Sequence, residues 1–297
     1  MRYFHGEIPR GPYFEDWYCK CRTAAGQAVA LIPAYHVDSG GRPGASLQVI
    51  SGGGSWWVDY PAPAFDALPA VFWVKLGENR FRRQGLRLRA ETEGLSLSGE
   101  LRFGPFTPPR RDVMGPFRFL PGMECVHGVL SMAHPLAGSL TLNGEVLDFT
   151  GGTGYLETDR GRSFPRRYLW VQCSCPAEEG SLMLAAAEVP VGPLRFPGCL
   201  CVVRHGSREY RLATYRGGRV TAWSAAGAEV RQGAYCLQLE FPAGEGHPLR
   251  APRQGAMSRT VRERVQSEVR CRLLEGQRTV LAWTDPCGSF ECSESGL

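Results

Sequence analysis

Apolar and polar residues alternate in short segments along most of the chain. In residues 86–92, Leu86, Leu88 and Ala90 alternate with charged residues, and residues 95–103 repeat this pattern with Leu95, Leu97 and Leu101. A period of two places successive side chains on opposite faces of a strand, so each such segment has one buried and one solvated face. Glycine-containing turns separate the segments. The pattern predicts antiparallel strands joined by short connections.

The same reasoning applies from residue 13 to residue 284. Asn143-Gly144 predicts a tight hairpin turn. Residues 104–121 are rich in proline, glycine and phenylalanine, and proline removes ladder donors, so this segment is expected to be a long ordered loop. Residues 260–269 have helical propensity, but their valine stripe is thin, and we expect a strand. The elements together predict an all-β fold of barrels or sandwiches.

Charge and cysteine content narrow the functional classes. The 297 residues carry a net charge of +5, with 32 arginines and two lysines in short runs of mixed sign. No nucleic-acid motif accompanies this charge, so no nucleic-acid partner is expected. The 11 cysteines include three C-x-C pairs, which cannot easily close a disulfide within one strand. With no signal-like N-terminus, we expect reduced cysteines that pack as small apolar residues in a cytoplasmic protein.

The stretch from Gly151 to Gln172 combines acids and aromatics in alternation. One strand face would carry Tyr155, Glu157 and Asp159, and a later strand face would carry Tyr168, Trp170 and Gln172. Such a set can line a barrel pocket, where desolvation raises the pKa of a carboxyl group until it can act as an acid. The alternative interpretation is an amphipathic hairpin whose acids face water and pair with neighbouring arginines. The residues alone favour this second interpretation.

Other candidate chemistry is sparse. His36 and His127 could act as acid or base, although a structural hydrogen bond is the more common role of a strand histidine. There is no Ser/His/Asp signature, nucleotide-binding loop or C-x2-C spacing. We therefore expect neither a metal nor a cofactor.

The sequence resembles the tocopherol cyclase family. The resemblance rests on PYFEDWY at residues 12–18, IPAYH at 32–36, FGPFTP at 103–108, MGPF at 114–117, MECVHGVLSM at 123–132 and the central stretch. It implies two consecutive lipocalin-like antiparallel β-barrels, which we place at residues 1–150 and 151–297. It also implies that a carboxylic acid protonates a prenyl double bond and that a phenol oxygen then closes the ring.

The resemblance implies a role for each matching residue. Glu157 is the first candidate for the acid and Asp159 the second, while His36 and Gln172 would orient the phenol. The substrate-binding wall would comprise Trp17, Tyr18, Tyr155, Arg160, Tyr168, Trp170 and Gln172.

Two positions depart from the family pattern. Asp16 stands where the family has glycine, and Arg160 stands where it has tryptophan. A cation beside the acid would lower the pKa of that acid and oppose a carbocation, so the pocket could persist without the reaction.

The expected function is acid-promoted cyclisation of a prenylated or polyene hydrophobic substrate. The alternative is a non-catalytic, lipocalin-type carrier of a lipid or isoprenoid. The expected partner is a small hydrophobic molecule, with peripheral membrane contact through Trp56, Trp57 and the 104–121 loop. The sequence does not specify an oligomeric state.

Overall fold

The computed structural model describes residues 2–7, 11–191, 194–242 and 244–293. Within these ranges the chain forms 22 β-strands and four short 3₁₀ turns, and it contains no α-helix. The expected all-β class is confirmed. The strands form two antiparallel sheets, one of 12 and one of 10 strands.

The first sheet is built from the first 12 strands. Its order is β4-β3-β2-β1-β12-β10-β9-β8-β7-β6-β5, and β11 pairs with β10 outside this path. The strand bounds are β1 Tyr13–Arg22, β2 Ala28–Val37, β3 Pro43–Ser51, β4 Gly54–Tyr60, β5 Phe65–Ala67, β6 Trp73–Leu76, β7 Asn79–Arg82, β8 Gly85–Thr92, β9 Leu95–Phe103, β10 Cys125–Leu142, β11 Glu145–Asp148 and β12 Gly152–Gly161.

The second sheet follows the order β16-β15-β14-β13-β22-β21-β19-β18-β17, and β20 pairs with β21 outside this path. Its strand bounds are β13 Tyr168–Cys175, β14 Gly180–Val191, β15 Leu194–His205, β16 Arg208–Ala213, β17 Arg219–Ser224, β18 Gly227–Gln232, β19 Tyr235–Glu240, β20 His247–Arg253, β21 Ala256–Glu275 and β22 Arg278–Ser293. The 3₁₀ turns are Ala62–Ala64, Gly115–Phe119, Pro176–Glu178 and Thr214–Arg216.

Each sheet curls around its own apolar core. In the first sheet, Leu47 and Val49 from one end of the strand order share a core with Leu76 and Phe81 from the other end. Strand β4 also contacts β8, although the two lie far apart in that order. In the second sheet, β15 contacts β17 in the same way. These closures produce the two lipocalin-like barrels that the sequence predicted.

The cysteine pairs occupy the expected positions. Cys19 and Cys21 belong to the first core, whereas Cys173, Cys175, Cys199 and Cys201 belong to the second. All 11 cysteines are free thiols. Alternation along a strand points both members of a C-x-C pair into the same core, which explains the spacing without a disulfide or a metal.

The chain divides into two compact units. The first comprises residues 1–108, 123–164 and 249–260, and the second comprises residues 109–122, 165–248 and 261–297. Strand β12 pairs with β1 and β10 in the first sheet, so the first unit continues past the expected boundary at residue 150 to Phe164.

Several local predictions are confirmed. Asn143 and Gly144 form the β10–β11 turn with φ of 51° and 87°, the left-handed conformation that such a turn requires. Residues 104–121 contain no strand and only one 3₁₀ turn. Residues 260–269 lie within strand β21.

Candidate active site

Strand β12 carries the candidate acids and lies between β1 and β10 in the first sheet. Residues directly opposite each other on neighbouring strands share one face of a sheet. The register therefore brings one set of polar residues together from three strands. The opposed pairs are Asp16–Asp159, Tyr18–Glu157, Lys20–Tyr155, His127–Asp159 and Val129–Glu157.

This polar set lies on the face opposite the barrel core. Leu156, between Tyr155 and Glu157, belongs to the core of the first unit. Period-two alternation then directs Tyr155, Glu157 and Asp159 to the other face. This face is nevertheless buried, because Asp16 is 5% exposed and Glu157 is 3% exposed. Buried carboxyl groups need compensation by charge or hydrogen bonding, and here their neighbours provide it.

His127 lies between the two β12 acids. Its Nδ1 is 3.0 Å from Asp159 Oδ1, at hydrogen-bonding distance, and its Nε2 is 3.4 Å from Glu157 Oε2. This second contact is an ion-pair distance without hydrogen-bond geometry. Tyr155 Oη donates to the same Glu157 oxygen, and Cys125 Sγ donates to Asp159 Oδ1 at 3.3 Å. We call Asp16, His127, Glu157 and Asp159 the acid–imidazole cluster.

The charges of this cluster set the protonation of His127. Burial by itself lowers the pKa of the imidazole, but the nearby Asp159 and Glu157 carboxylates outweigh burial and raise this pKa to about 9. The ring is therefore an imidazolium at neutral pH. It supplies a positive charge between two acids.

Asp16 is the acid of the cluster whose surroundings favour the neutral form. Burial raises the pKa of this carboxyl group well above its usual range, and the charges of Asp159 and Glu157 raise it further. A backbone hydrogen bond from Asp159 opposes these effects but does not outweigh them. Like charges directly opposite each other on adjacent strands repel, and Asp16 is directly opposite Asp159.

The donor set also bears on metal binding. One ligand atom each from His127, Glu157 and Asp159 lie within 4.8 Å of one another, close enough to surround a cation. However, the two ring nitrogens each face a different carboxylate. This arrangement suits a protonated imidazole between two acids better than a nitrogen ligand that shares a metal with both of them.

The structure brings together four of the predicted site residues: Tyr18, Tyr155, Glu157 and Asp159. The Tyr18 and Tyr155 rings meet edge to face, with centroids 6.4 Å apart. The Tyr155 hydroxyl remains protonated, because burial and the Glu157 charge raise its pKa well above the usual range. Two phenol rings therefore lie beside the acids.

Trp17 does not lie on the same face of the sheet as Glu157. Trp17 is opposite Thr158 in the register and is fully buried in the barrel core, so it lies on the other face of the sheet from Glu157. The reason is the single-residue step between Trp17 and Tyr18, which reverses the side-chain direction.

Arg160 also lies on the face of the sheet opposite Glu157. It is opposite Glu15 on β1, and its charge acts on the pKa of Tyr13. Glu15 lies on the side of the sheet away from Asp16, where it binds His5 and Tyr13. The arginine therefore lies on the face opposite Glu157, although its charge also acts on Cys125, which donates to Asp159.

His36 is not brought to the acids. It is opposite Phe14, which in turn is opposite Gly161, whereas Glu157 is opposite Tyr18. His36 is thus two strands away from Glu157 and four residues further along. Burial lowers the pKa of His36, although Asp59 and Asp38 act in the other direction.

Three predicted binding residues belong to the second unit. Tyr168, Trp170 and Gln172 are buried on the face of β13 opposite its core residues Leu169 and Val171. Gln172 Nε2 donates to Ser174 Oγ at 2.8 Å. The predicted sharing of one face is confirmed for this trio.

Sequence reasoning did not place Asp16, Lys20 or Cys125 in the site, and it named His127 as a possible acid or base without its partners. Asp16 and Lys20 follow the same alternation as Tyr18, so the pattern alone could have grouped them. The positions of Cys125 and His127 depend on the β10–β12 register, and no local signal specifies which residue of a distant strand pairs with Asp159.

Two closed β-barrels, one of which carries a buried acid–imidazole cluster, define a lipocalin-like protein. The profile of the tocopherol cyclase-like family matches residues 96–292, more than half of the chain. The chain belongs to this family. No curated protein matches it.

Solved structures share the two-barrel fold. Kievitone hydratase from Nectria haematococca aligns with a TM-score of 0.54 and 13% identity, over 96% of this chain and 89% of the other. CghA with Sch210972 aligns with a TM-score of 0.62 and 10% identity, over 96% of this chain and 89% of the other. A putative AttH from Nitrosomonas europaea aligns with a TM-score of 0.57 and 13% identity, over 99% of this chain and 95% of the other. At these identities the similarity establishes the fold.

Within the described residues, none of the helical segments has the length and apolar character needed to cross a membrane.

Proposed function

We propose that this protein is a cyclase-type isomerase that protonates a carbon–carbon double bond of a prenylated or polyene hydrophobic substrate. The observation that carries the proposal is the buried acid–imidazole cluster, which combines a protonated carboxyl group with hydrogen-bond acceptors on one face. Carboxyl groups with raised pKa values act as general acids near neutral pH.

The reaction balances without an added reactant. A carboxyl proton forms a new C–H bond with the electron pair of the double bond, which leaves a tertiary carbocation. A phenol oxygen of the substrate then forms the C–O bond to that carbon, and its proton passes to a carboxylate of the cluster. The enzyme returns to its initial protonation state, and the product is an isomer of the substrate.

The contacts of Glu157 support its role as the carboxylate that accepts the phenol proton after ring closure. Its Oε2 accepts the Tyr155 hydroxyl and faces the His127 imidazolium. An oxygen that two donors already approach is better placed to accept the phenol proton than to supply the first one. Asp159, bonded to His127, fixes the orientation of that ring. Tyr18 and Tyr155 offer aromatic rings to the carbocation.

The comparisons with known proteins support a reaction that begins with protonation of a double bond. The family is tocopherol cyclase-like, and one structural neighbour is named a hydratase. Addition of water to a double bond and ring closure by a phenol can begin with the same protonation. For the second unit we propose separately that Tyr168, Trp170 and Gln172 form a surface for a hydrophobic ligand, because the trio combines apolar surface with hydrogen-bonding groups.

Solvent deuterium tests the proposed function directly. The protein is incubated in D₂O with a panel of prenylated hydroquinones and polyenes, and products are analysed by mass spectrometry and NMR. We expect a cyclised product with one deuterium on the protonated carbon. The matched control is Glu91→Gln on exposed β8, which should retain full turnover. Recovery of every substrate unchanged would favour the non-catalytic carrier instead.

Membrane contact follows from the substrate class. Phe119 and Leu120, within the loop expected to meet the bilayer, are 72% and 50% exposed. Trp57 is half-buried and lies under Arg250, so it offers less surface than expected. We expect the protein to float with liposomes and Phe119→Ser to float less. Equal flotation of both proteins would exclude this loop as the contact.

A further inference from the structure

The polar face of the first sheet places three carboxyl groups beside one imidazolium. Asp16, Glu157 and Asp159 are the acids, His127 lies among them, and Asp16 and Glu157 are buried. The other basic side chains that the register of β1 places on this face lie further along, because Lys20 is opposite Tyr155 and Arg22 is opposite Thr153. Asp16 and Asp159 are directly opposite each other, so ionisation of both would place two like charges side by side, which is costly in a buried site. One proton on this pair removes the repulsion.

The contacts of the three acids differ. Glu157 accepts the Tyr155 hydroxyl and faces His127 Nε2, and Asp159 accepts from His127 and Cys125. Asp16 is directly opposite Asp159 and takes part in no ion pair within the described residues. Of the three, Asp16 is therefore the carboxyl group that makes no ion pair among the described residues, and it gains most from being neutral.

A second observation concerns the imidazole. His127 Nε2 is buried and lacks a hydrogen bond, although it points at Glu157 Oε2 from 3.4 Å. A buried donor without a good acceptor is costly. The contact fits a resting state in which Glu157 is the ionised partner of the imidazolium. The cluster thus has one donor held ready beside the acceptor that we assign to the phenol proton.

We propose that Asp16 holds the transferable proton of the cluster and is the general acid that begins the reaction. Asp16 gives its proton to the alkene carbon, and Glu157 receives the phenol proton after ring closure. The proton then returns through the cluster from Glu157 to Asp16, so that both acids recover their initial states. This assignment rests on the proposed function, because it names the acid within the same site.

Infrared spectroscopy of the resting protein tests the proton without any substrate. A protonated carboxylic acid has a C=O stretching band that is distinct from carboxylate bands and shifts in D₂O. We expect this band near neutral pH, and we expect carboxyl-labelled ¹³C-aspartate to move it. Asp16→Asn should remove the band, whereas the exposed control Asp66→Asn should retain it. In the labelled wild-type protein, a band that does not move would exclude every aspartate, Asp16 included, even if a variant fails to fold.

Turnover gives the second readout. With a prenylated hydroquinone that the wild-type protein cyclises, Asp16→Asn should lower kcat at least about 100-fold with little change in KM, as expected for loss of a general acid. A band that moves with labelled glutamate instead, or that persists in Asp16→Asn, would overturn the assignment, as would full turnover by Asp16→Asn. If no substrate in the panel reacts, the infrared result still decides where the proton lies, so the two proposals can fail separately.

Discussion

The two faces of the sheet at β12 are equally buried, but they differ in chemistry. Leu156 on one face belongs to the apolar barrel core, whereas Glu157 on the other face meets a tyrosine and a histidine. Burial therefore does not distinguish the structural face from the proposed catalytic face. The two faces are distinguished by how their buried groups are stabilised, because on the polar face nearly every acid has a hydrogen-bond donor or a cation beside it.

Two histidines of β10 show the difference most clearly. His127 lies on the polar face, where Asp159 and Glu157 outweigh burial and raise its pKa to about 9. His134 packs between Phe103 and Phe106, each with its ring centroid 4.8 Å away, and burial lowers its pKa to about 3. Both are buried. Register shifts in β10 between Val129 and His134 accompany the change of face.

The largest expected effect is on turnover. Glu157→Gln keeps the shape of the side chain but removes the acceptor for the phenol proton. We expect kcat to fall about 10²- to 10⁴-fold, the usual contribution of a general base. The free energy of unfolding should also fall, because the buried His127 imidazolium loses one of its two carboxylate neighbours. Steady-state kinetics and urea denaturation would measure the two quantities. Retained turnover would remove Glu157 from the mechanism.

Leu156→Ala tests the opposite face one residue away. Leu156 is 1% exposed in the barrel core, and removal of a buried leucine side chain leaves a cavity that costs about 2–5 kcal/mol of stability. We expect that loss in urea denaturation, together with turnover within about threefold of wild type at a temperature where the variant is folded. A loss of turnover as large as that of Glu157→Gln would mean that the two faces do not act separately.

The sequence supported the face assignment on β12 but not the contents of the site. Alternation correctly grouped Tyr155, Glu157 and Asp159, because side-chain direction in a strand is a local property. The same rule separates Trp17 from Tyr18, yet family resemblance placed both in one pocket. His127 could not be assigned, because β10 and β12 pair across about 30 residues and β10 contains two register shifts. The all-β barrel fold could be predicted from local alternation, whereas the acid–imidazole cluster depends on how strands that are distant in the sequence pair with each other.

The pH dependence of stability sharpens the comparison of the two histidines. The pKa of His127 is raised from 6.5 to about 9 in the folded protein. Its contribution is therefore fully present below about pH 6.5 and is lost as the pH rises through about 9. At 1.36 kcal/mol per pKa unit, this contribution is on the order of 3 kcal/mol.

Urea denaturation of the wild-type protein and His127→Gln at about pH 6 and about pH 10 would measure the contribution of the His127 charge to stability. We expect the stability advantage of the wild type to shrink at the higher pH. Because Asp16 titrates in the same protein, only the difference between the two proteins is compared. A difference that stays constant with pH would mean that the imidazole is neutral and that Asp159 and Glu157 do not hold a cation between them.

His134 should show the opposite sign. Its folded pKa of about 3 lies below the usual 6.5, so the unfolded chain takes up a proton first as the pH falls, and stability declines below about pH 6.5. At about pH 5 the loss should be on the order of 2 kcal/mol, and His134→Gln should remove that pH dependence. Among the described residues, the surroundings of the His134 ring contain no acidic group that would stabilise a positive charge on it. Its Nδ1 is 3.0 Å from Ser131 Oγ, and its Nε2 lies against Gly154, where any Cβ would overlap it. If the wild-type protein is instead stabilised relative to His134→Gln on acidification, His134 has a carboxylate partner, and the distinction between the apolar and polar faces fails at this residue.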